Sequence, residues 1–291
     1  MKELVILSGK GGTGKTSVTA AFASLAKNMV LCDADVDAAD LHLIMAPEIR
    51  KTTDFFGGGI AVIDNDKCSE CGQCIELCRF EAIKEGFIVD EIACEGCGVC
   101  VDFCPEQAID FPTQKCGQWY LSDTRFGPMV HAKLGIAEEN SGKLVTLVKN
   151  EAKKLAKEEK KDLVITDGPP GIGCPVIASF GNVDAALIIT EPTVSGLHDM
   201  ERVADLAAHF KVTGMVCVNK YDLNMEQTKQ IENLTKKKNM YFLGKIPFDS
   251  AFTASMVQGK TFFEYNGDSK AKNEVRQIWN KIIALPVMNM K

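Results

Sequence analysis

The sequence predicts an α/β protein built on a doubly wound, mostly parallel sheet, with a small α+β domain inserted into it. Three observations predict that class. A short apolar run opens the chain and leads through a glycine-rich loop into a helical segment. Further apolar runs alternate with helical segments along the rest of the chain, the pattern of a parallel sheet covered by crossover helices. Between residues 60 and 112 that pattern stops, and eight of the twelve cysteines appear there. The expected organisation is therefore one discontinuous domain, 1–59 and 113–291, interrupted by an insert over 60–112.

The elements follow in order. Glu3–Ser8 (E-L-V-I-L-S) reads as a buried parallel strand, and an amphipathic helix runs from about Lys15 to Lys27. Met29–Asp33 is a second apolar strand that ends in an acid. The run F-F-G-G-G, Phe55 to Gly59, reads as a linker into the insert. Beyond the insert, Lys143–Lys160 is a helix with Leu144, Leu147, Val148 and Leu155 turned inward. Asp162–Thr166 is a strand closed by Asp167, and Asp184–Thr190, Gly214–Val218 and Met240–Ile246 are further strands. Cys32 and Cys217 fall inside strands and should simply pack. The last helix carries an apolar stripe at Val275, Ile278, Trp279, Ile282 and Leu285, with little basic excess, so it should dock on its own domain.

Gly9 to Thr16 reads G-K-G-G-T-G-K-T and fits G-x-x-x-x-G-K-[ST] between a strand and a helix, the context that gives the match meaning. Such a P-loop lets backbone N–H groups of Gly9, Gly11, Gly12, Thr13 and Gly14 wrap phosphate oxygens at a helix N-terminus. Lys15 should reach the β- and γ-phosphates, Thr16 should place its hydroxyl on Mg²⁺, and Ser17 should contact the α-phosphate. Acids follow at strand ends, where open α/β sheets hold ligands. Asp33, Asp35 and Asp37 stand in L-C-D-A-D-V-D, and Asp167 begins D-G-P-P-G, whose Gly168 and Gly171 should let the loop change conformation.

The cysteines repeat. Cys68, Cys71, Cys74 and Cys78 recur as Cys94, Cys97, Cys100 and Cys104, and E-A-I-K after the first set recurs as Q-A-I-D after the second. C-x₂-C-x₂-C-x₃-C, with Pro105 after the second copy, is the spacing of bacterial dicluster ferredoxins, in which the fourth cysteine of each run serves the other cluster. The ligand sets should be Cys68, Cys71, Cys74 with Cys104, and Cys94, Cys97, Cys100 with Cys78, each around a 4Fe–4S cluster. Tetrahedral zinc is the plainer alternative, although zinc sites favour paired C-x₂-C with a longer gap. Arg79 stands after Cys78 where a proline is common, which places a charge near the second cluster.

K-G-G-T-G-K-T, with its extra Lys10, resembles the deviant phosphate loop of the MinD, Mrp and nitrogenase iron protein superfamily of P-loop ATPases, here with an inserted dicluster ferredoxin-like domain. The resemblance extends to G-P-M-V-H-A-K-L-G-I-A-E-E-N-S-G-K-L (Gly127 to Leu144), D-G-P-P-G-I-G-C-P-V-I-A-S (Asp167 to Ser179) and E-P-T-V-S-G-L-H-D (Glu191 to Asp199). It implies that Lys10 crosses a two-fold axis to the phosphates of a second subunit, giving an ATP-dependent homodimer, and that it acts there like an arginine finger. It also implies that Asp35 orients the attacking water and that Asp167 holds Mg²⁺ through water, with Asp33 and Asp37 structural or solvated. The bound species is then ATP with Mg. V-N-K-Y-D (Val218 to Asp222) matches a guanine-reading pattern, but in the MinD-type group an Asn at this place binds adenine. Asn219 is the first base-binding candidate, followed by Asp222 and by Pro247 of I-P-F-D. Cys174 sits where the nitrogenase iron protein has a cluster ligand, so a bridging cluster is conceivable; E-E-N-S-G-K supplies no second cysteine, and Cys116 has no motif around it. His198 reads as a surface or capping residue.

The formal net charge of −6 argues against non-specific nucleic-acid binding. No run of apolar residues is long enough to span a membrane, and the N-terminus has no leader pattern, so the expected compartment is the cytoplasm, where clustered cysteines favour metal over disulfide. The leading functional expectation is ATP hydrolysis coupled to electron transfer through two 4Fe–4S clusters to a redox partner. An Mrp-type metal-cluster carrier with a cluster-accepting partner, and a redox-sensing MinD- or ParA-like regulator, are the alternatives.

Overall fold

The computed structural model describes residues 1–135 and 141–289; residues 136–140, within the G-P-M-V-H stretch named above, lie outside that description. The chain packs into two compact units. The first comprises Met1–Thr52, Trp119–Lys133 and Ser141–Lys291, and the second Thr53–Gln118 with Leu134–Asn140.

In the first unit, β1 (Lys2–Ser8) leads through the glycine loop into α1 (Lys15–Leu25), β2 (Met29–Asp33) and a short α2 (Leu41–Met45). The long strand β3 (Glu48–Gly59) carries the chain into the second unit, which contains β4 (Val62–Ile63), α3 (Gln73–Leu77), β5 (Ile83–Lys84), β6 (Ile88–Val89), α4 (Val99–Asp102) and β7 (Ile109–Asp110). The chain returns in β8 (Thr113–Thr124) and continues as β9 (Gly127–Leu134), α5 (Ser141–Glu158), β10 (Leu163–Pro170), α6 (Cys174–Ser179) and β11 (Ala185–Thr190). It ends in α7 (Val194–His209), β12 (Thr213–Asn219), α8 (Met225–Lys237), β13 (Tyr241–Ile246), α9 (Ala251–Val257) and α10 (Ala271–Ala284).

The main sheet runs β13-β12-β11-β1-β10-β2-β9-β8-β3. Every pairing from β13 through to β9 is parallel. Side chains alternate across a strand, so β1 sends Leu4 and Ile6 to one face and Val5 and Leu7 to the other, each into its own apolar cluster. That is why the strand is apolar throughout rather than alternating. Val275, Ile278, Trp279 and Ile282 of α10 are buried in the cluster that holds Phe22 of α1, so the last helix docks on its own unit. Cys32 and Cys217 are fully buried in β2 and β12. Among the described residues no helix is long and apolar enough to cross a membrane.

Two glycine readings need correction. Phe55–Gly59 is not a linker: it is the last stretch of β3, with Phe55, Gly57 and Gly59 buried in alternation. Gly59 is required by contact, because a Cβ there would lie 2.7 Å from the Phe111 ring. Gly168 likewise lies in β10 against β1, where a Cβ would meet Leu7 at 2.5 Å, so it serves close packing rather than loop freedom. Gly171, with φ of 90°, does occupy a backbone region open mainly to glycine.

In the second unit the sequence repeat becomes a structural repeat. Gly72 and Gly98 open α3 and α4 with φ of 78° and 74°. The strands exchange partners between copies: β4 pairs with β7, and β5 with β6, both antiparallel. Each copy is therefore completed by the other.

Candidate functional site: a phosphate loop and two cysteine cavities

The carboxyl ends of β1, β2, β10 and β12 deliver Ser8, Asp33, Asp167 and Asn219 to the same edge of the parallel sheet. A cavity of about 380 Å³ opens there, lined by Gly11 to Ser17, Asp35, Asn219 and Lys220, and by Phe248, Phe252, Thr253 and Met256 on the far side. Gly12 and Gly14 have φ of 80° and 90°, which aligns loop N–H groups at the α1 N-terminus. The φ of Gly14 lies in a region open mainly to glycine, and a Cβ there would sit 2.4 Å from Nδ2 of Asn219.

Lys15 is buried, and its Nζ lies 3.0 Å from Asp167 and 3.2 Å from Asp35. Burial alone would lower its pKa, but the Asp167 and Asp35 carboxylates outweigh it and hold the ammonium above its usual value. Asp167 also accepts hydrogen bonds from Thr16 Oγ1 at 2.7 Å and Thr19 Oγ1 at 2.8 Å. The two expected Mg²⁺ residues therefore touch directly. Asp33 is completely buried and accepts from the backbone N–H groups of Asp35 and Leu41, as a structural residue should. Burial and the neighbouring Asp167 push its pKa well above the carboxylate range. Burial also raises Asp35, against the opposing pull of Lys15. Asp37 is exposed.

Lys10 does not line this cavity. Its Nζ pairs with Glu191 at 2.6 Å and donates to Ser195 Oγ at 3.1 Å. Gly9 sits behind the loop, where a Cβ would strike Asp199 at 2.3 Å. Ser17 lines the cavity, and its hydroxyl lies 2.9 Å from the Met256 sulfur.

Asn219, Lys220 and Asp222 of V-N-K-Y-D each hold a neighbouring backbone group. Asn219 Nδ2 donates to Thr13 O at 2.8 Å, and its Oδ1 accepts from the Lys220 N–H. Lys220 Nζ donates to Gly12 O at 3.1 Å and also pairs with Glu191. Asp222 accepts from the Phe248 N–H at 2.7 Å and, with Pro247, borders a separate open hollow of about 600 Å³. Lys220 was legible inside the motif already quoted, whereas Phe252 and Met256 lie on α9, which no motif marks.

In the second unit the eight cysteines border two small cavities. One is lined by Cys68, Cys71, Cys74 and Cys104, the other by Cys78, Cys94, Cys97 and Cys100. The division follows the exchanged strand pairing. Cys78 Sγ accepts from the Ala82 N–H and Cys104 Sγ from the Ala108 N–H, both at 3.3 Å. None of these eight is in a disulfide. Among the described residues no group of three or more His, Cys, Asp or Glu side chains is gathered in a way that could hold a metal ion. The thiols border a space rather than converge on a point.

Cys174 is exposed at the start of α6 in the first unit. Cys116, in the second, is buried, and its thiol donates to the Gly57 carbonyl. His198 is exposed on α7.

A parallel sheet with a glycine loop at its carboxyl edge, a buried lysine on that loop and acids at neighbouring strand ends define a P-loop nucleotide-binding protein. Residues 4–262 match the CobQ/CobB/MinD/ParA nucleotide binding domain family, and the chain belongs to it. It is 33% identical over 283 residues to an uncharacterised protein of Methanocaldococcus jannaschii, covering 96% of each chain. A second protein of that organism is 27% identical over 296 residues, covering 97% of this chain and 99% of the other. Among solved structures, the cell division ATPase MinD of Pyrococcus furiosus aligns with a TM-score of 0.59 at 19% identity, covering 97% of this chain and 98% of that one. MinD of Pyrococcus horikoshii complexed with Mg-ADP aligns with a TM-score of 0.60 at 17% identity, covering 97% and 96%. These likenesses show the fold.

Proposed function

We propose that this chain is an ATP-binding and hydrolysing iron–sulfur protein in which ATP-driven homodimerisation is coupled to electron transfer through two 4Fe–4S clusters. The observation that carries the reading is the pair of four-cysteine cavities in the same chain as a complete phosphate loop. Each cavity takes three cysteines from one repeat and the fourth from the other, the pattern of dicluster ligation. What supports the donor set is that four cysteines line each space and that a backbone N–H is directed at Cys78 in one and at Cys104 in the other. Clusters bound there supply one-electron redox chemistry.

The chain's own residues supply the nucleotide half. The loop N–H groups and Lys15 bind the phosphates, while Thr16 and Asp167 together hold Mg²⁺. Asp35, which pairs with Lys15, would orient the attacking water. Mg-ADP in the Pyrococcus horikoshii neighbour supports a magnesium nucleotide here. The placement of Lys10 outside its own cavity, on Glu191 and Ser195, supports its use in the cavity of a second copy. A partner protein, in the cytoplasm, would accept the electrons.

Anaerobic purification followed by iron and sulfide analysis, then spectroscopy of the reduced protein with and without Mg-ATP, tests the reading. The expected result is roughly eight irons per chain and a reduced-cluster signal or ATP affinity that changes when the other ligand or redox state is present. Zinc in place of iron, or turnover and nucleotide affinity identical in oxidised and reduced protein with no partner reduced, overturns it. Transfer of the iron to an apo-acceptor during turnover would favour a carrier instead.

A further inference from the structure

The phosphate loop carries two lysines, and they are paired differently. Lys15 lies in the cavity, on Asp35 and Asp167. Lys10 is held outside it, on residues that follow β11. Those residues form a well-fixed turn. The Thr193 N–H donates to Glu191 O at 2.8 Å, and Thr193 Oγ1 caps α7 by accepting from the Gly196 N–H at 2.9 Å. A Cβ on Gly196 would lie 2.3 Å from Glu191 O, so the turn closes tightly on its first residue.

The Glu191 carboxylate on that turn is shared between two lysines. Its Oε1 lies 2.6 Å from Lys10 Nζ, and its Oε2 lies 3.4 Å from Lys220 Nζ. Each lysine has a second hold. Lys10 donates to Ser195 Oγ at 3.1 Å, and Lys220 donates to Gly12 O at 3.1 Å. The Glu191 side chain is 17% exposed, so its charge is costly to leave unpaired. Departure of Lys10 does not leave it unpaired, because Lys220 remains.

A lysine held in this way cannot at the same time reach the phosphates of a second copy. We propose that Glu191 is a positioning residue that holds Lys10 on its own subunit and sets the nucleotide requirement for forming the homodimer. The inference rests on the ATP-driven homodimer proposed above. In the free chain Glu191 binds Lys10 and Lys220 together. In the dimer it keeps Lys220 and releases Lys10 to the phosphates of the other copy. Those phosphates must outcompete Glu191 and Ser195 for the ammonium. A nucleoside triphosphate carries more negative charge than a diphosphate, so it competes better. The contact therefore widens the difference between the two nucleotides.

The experiment is sedimentation velocity of the anaerobic full-length protein in Mg-AMPPNP and in Mg-ADP, on the wild type and on variants. The wild type should dimerise in Mg-AMPPNP and stay monomeric in Mg-ADP. Glu191→Gln should tighten the Mg-AMPPNP dimer by about tenfold, since two partly exposed ion pairs no longer have to break. It should also bring dimer into the Mg-ADP sample, a change that loosened packing alone would not produce. Ser195→Ala should act in the same direction by less. Lys10→Gln should weaken the dimer, and Glu191→Gln added to it should change nothing further. A Glu191→Gln dimer no tighter than the wild type, or a gain that persists without Lys10, overturns the inference. In either case a dimer weakened by Lys10→Gln leaves the crossing-lysine reading standing. If Glu191→Gln fails to fold, Ser195→Ala with and without Lys10→Gln completes the same cycle. A Lys10→Gln dimer as tight as the wild type, or a wild type that stays monomeric in Mg-AMPPNP, overturns both readings together.

Discussion

The phosphate-loop unit closes its interior with carbon, whereas the cysteine unit has little carbon to close with. In the first, β1, β2, β10 and β11 are buried almost end to end, and two apolar clusters cover the two faces of the sheet. In the second, the buried cluster is Ala61, Cys74, Ile83 and Ile109, with the remaining walls formed by partly buried residues that include Cys78, Cys94, Cys100 and Cys104. Its strands β4 to β7 are two residues each. A domain this small rarely supplies enough hydrophobic burial by itself, and metal is one common substitute. The difference teaches that the nucleotide site rests on a framework closed by apolar burial on both sheet faces, while the cysteine framework has little apolar burial of its own.

The largest expected effect comes from damaging each half in turn. Lys15→Met removes the cation between Asp35 and Asp167, leaving buried carboxylates uncompensated at a cost of about 3–5 kcal/mol. Nucleotide turnover should fall by about 10²-fold or more, with iron content unchanged. Cys74→Ser should remove about half the iron and make Thr53–Gln118 sensitive to protease, while nucleotide affinity in the oxidised protein stays within about twofold, well under 1 kcal/mol. Iron analysis, limited proteolysis and nucleotide titration read the three quantities. Iron lost on Lys15→Met would break the comparison, since it would mean that the nucleotide unit holds up the cysteine unit.

The same contrast explains what could be read from the sequence. The parallel strands were legible because complete burial leaves near-continuous apolar runs, and the phosphate loop because its chemistry leaves few alternatives at Gly12, Gly14 and Lys15. The partner exchange of β4 with β7 and β5 with β6 was legible only through the cysteine spacing, since two-residue strands carry no periodicity of their own. Phe55–Gly59 misled because glycine marks both flexible linkers and tight packing, and only the Phe111 contact distinguishes them. Lys220 stands in the V-N-K-Y-D motif, but its bond to Gly12 O was not legible for a different reason: a long-range side chain to backbone bond leaves no local pattern. Phe252 and Met256 were hidden because apolar residues on a short helix look the same whether they cover a core or a cavity.

A second, smaller test concerns acid. His131 of β9 is buried, stacks on Tyr120 and His42, and shares a 2.9 Å hydrogen bond with Ser122 Oγ. Burial, with His42 adding to it, pushes its pKa down from 6.5 to about 4. Between these values the unfolded chain binds a proton that the folded chain refuses, so stability falls as the pH drops from about 6.5 to about 4 and is fully present above 6.5. The whole contribution is on the order of 3 kcal/mol. Denaturant midpoints measured across that range should show the slope, and His131→Gln should flatten it. Since His131 belongs to the phosphate-loop unit, acid should expose that unit first. A slope unchanged in the variant would assign the acid sensitivity to other groups.

The smallest effect is at Arg125, in the turn between β8 and β9. Its guanidinium donates to the carbonyls of Ile44 and Met45 at the end of α2, to Gly259 O, and to both carboxylate oxygens of Glu264. Those bonds, opposed by partial burial, hold Glu264 down to about 2. A depressed acid contributes stability that is present above the unfolded value near 4.5 and is lost as the pH falls from there toward 2. Both side chains remain about one-third exposed, so solvent screening limits the ion pair to about 1 kcal/mol. Glu264→Gln should therefore cost about 1 kcal/mol at neutral pH and nothing near pH 2. Arg125→Ala should cost more, about 2–3 kcal/mol, because it also removes the donors to α2, and most of that loss should persist at low pH. If the two variants cost the same at pH 7, the carbonyl bonds to Ile44 and Met45 contribute nothing, and α2, which follows directly from the Asp33–Asp37 loop, is positioned by its apolar contacts alone.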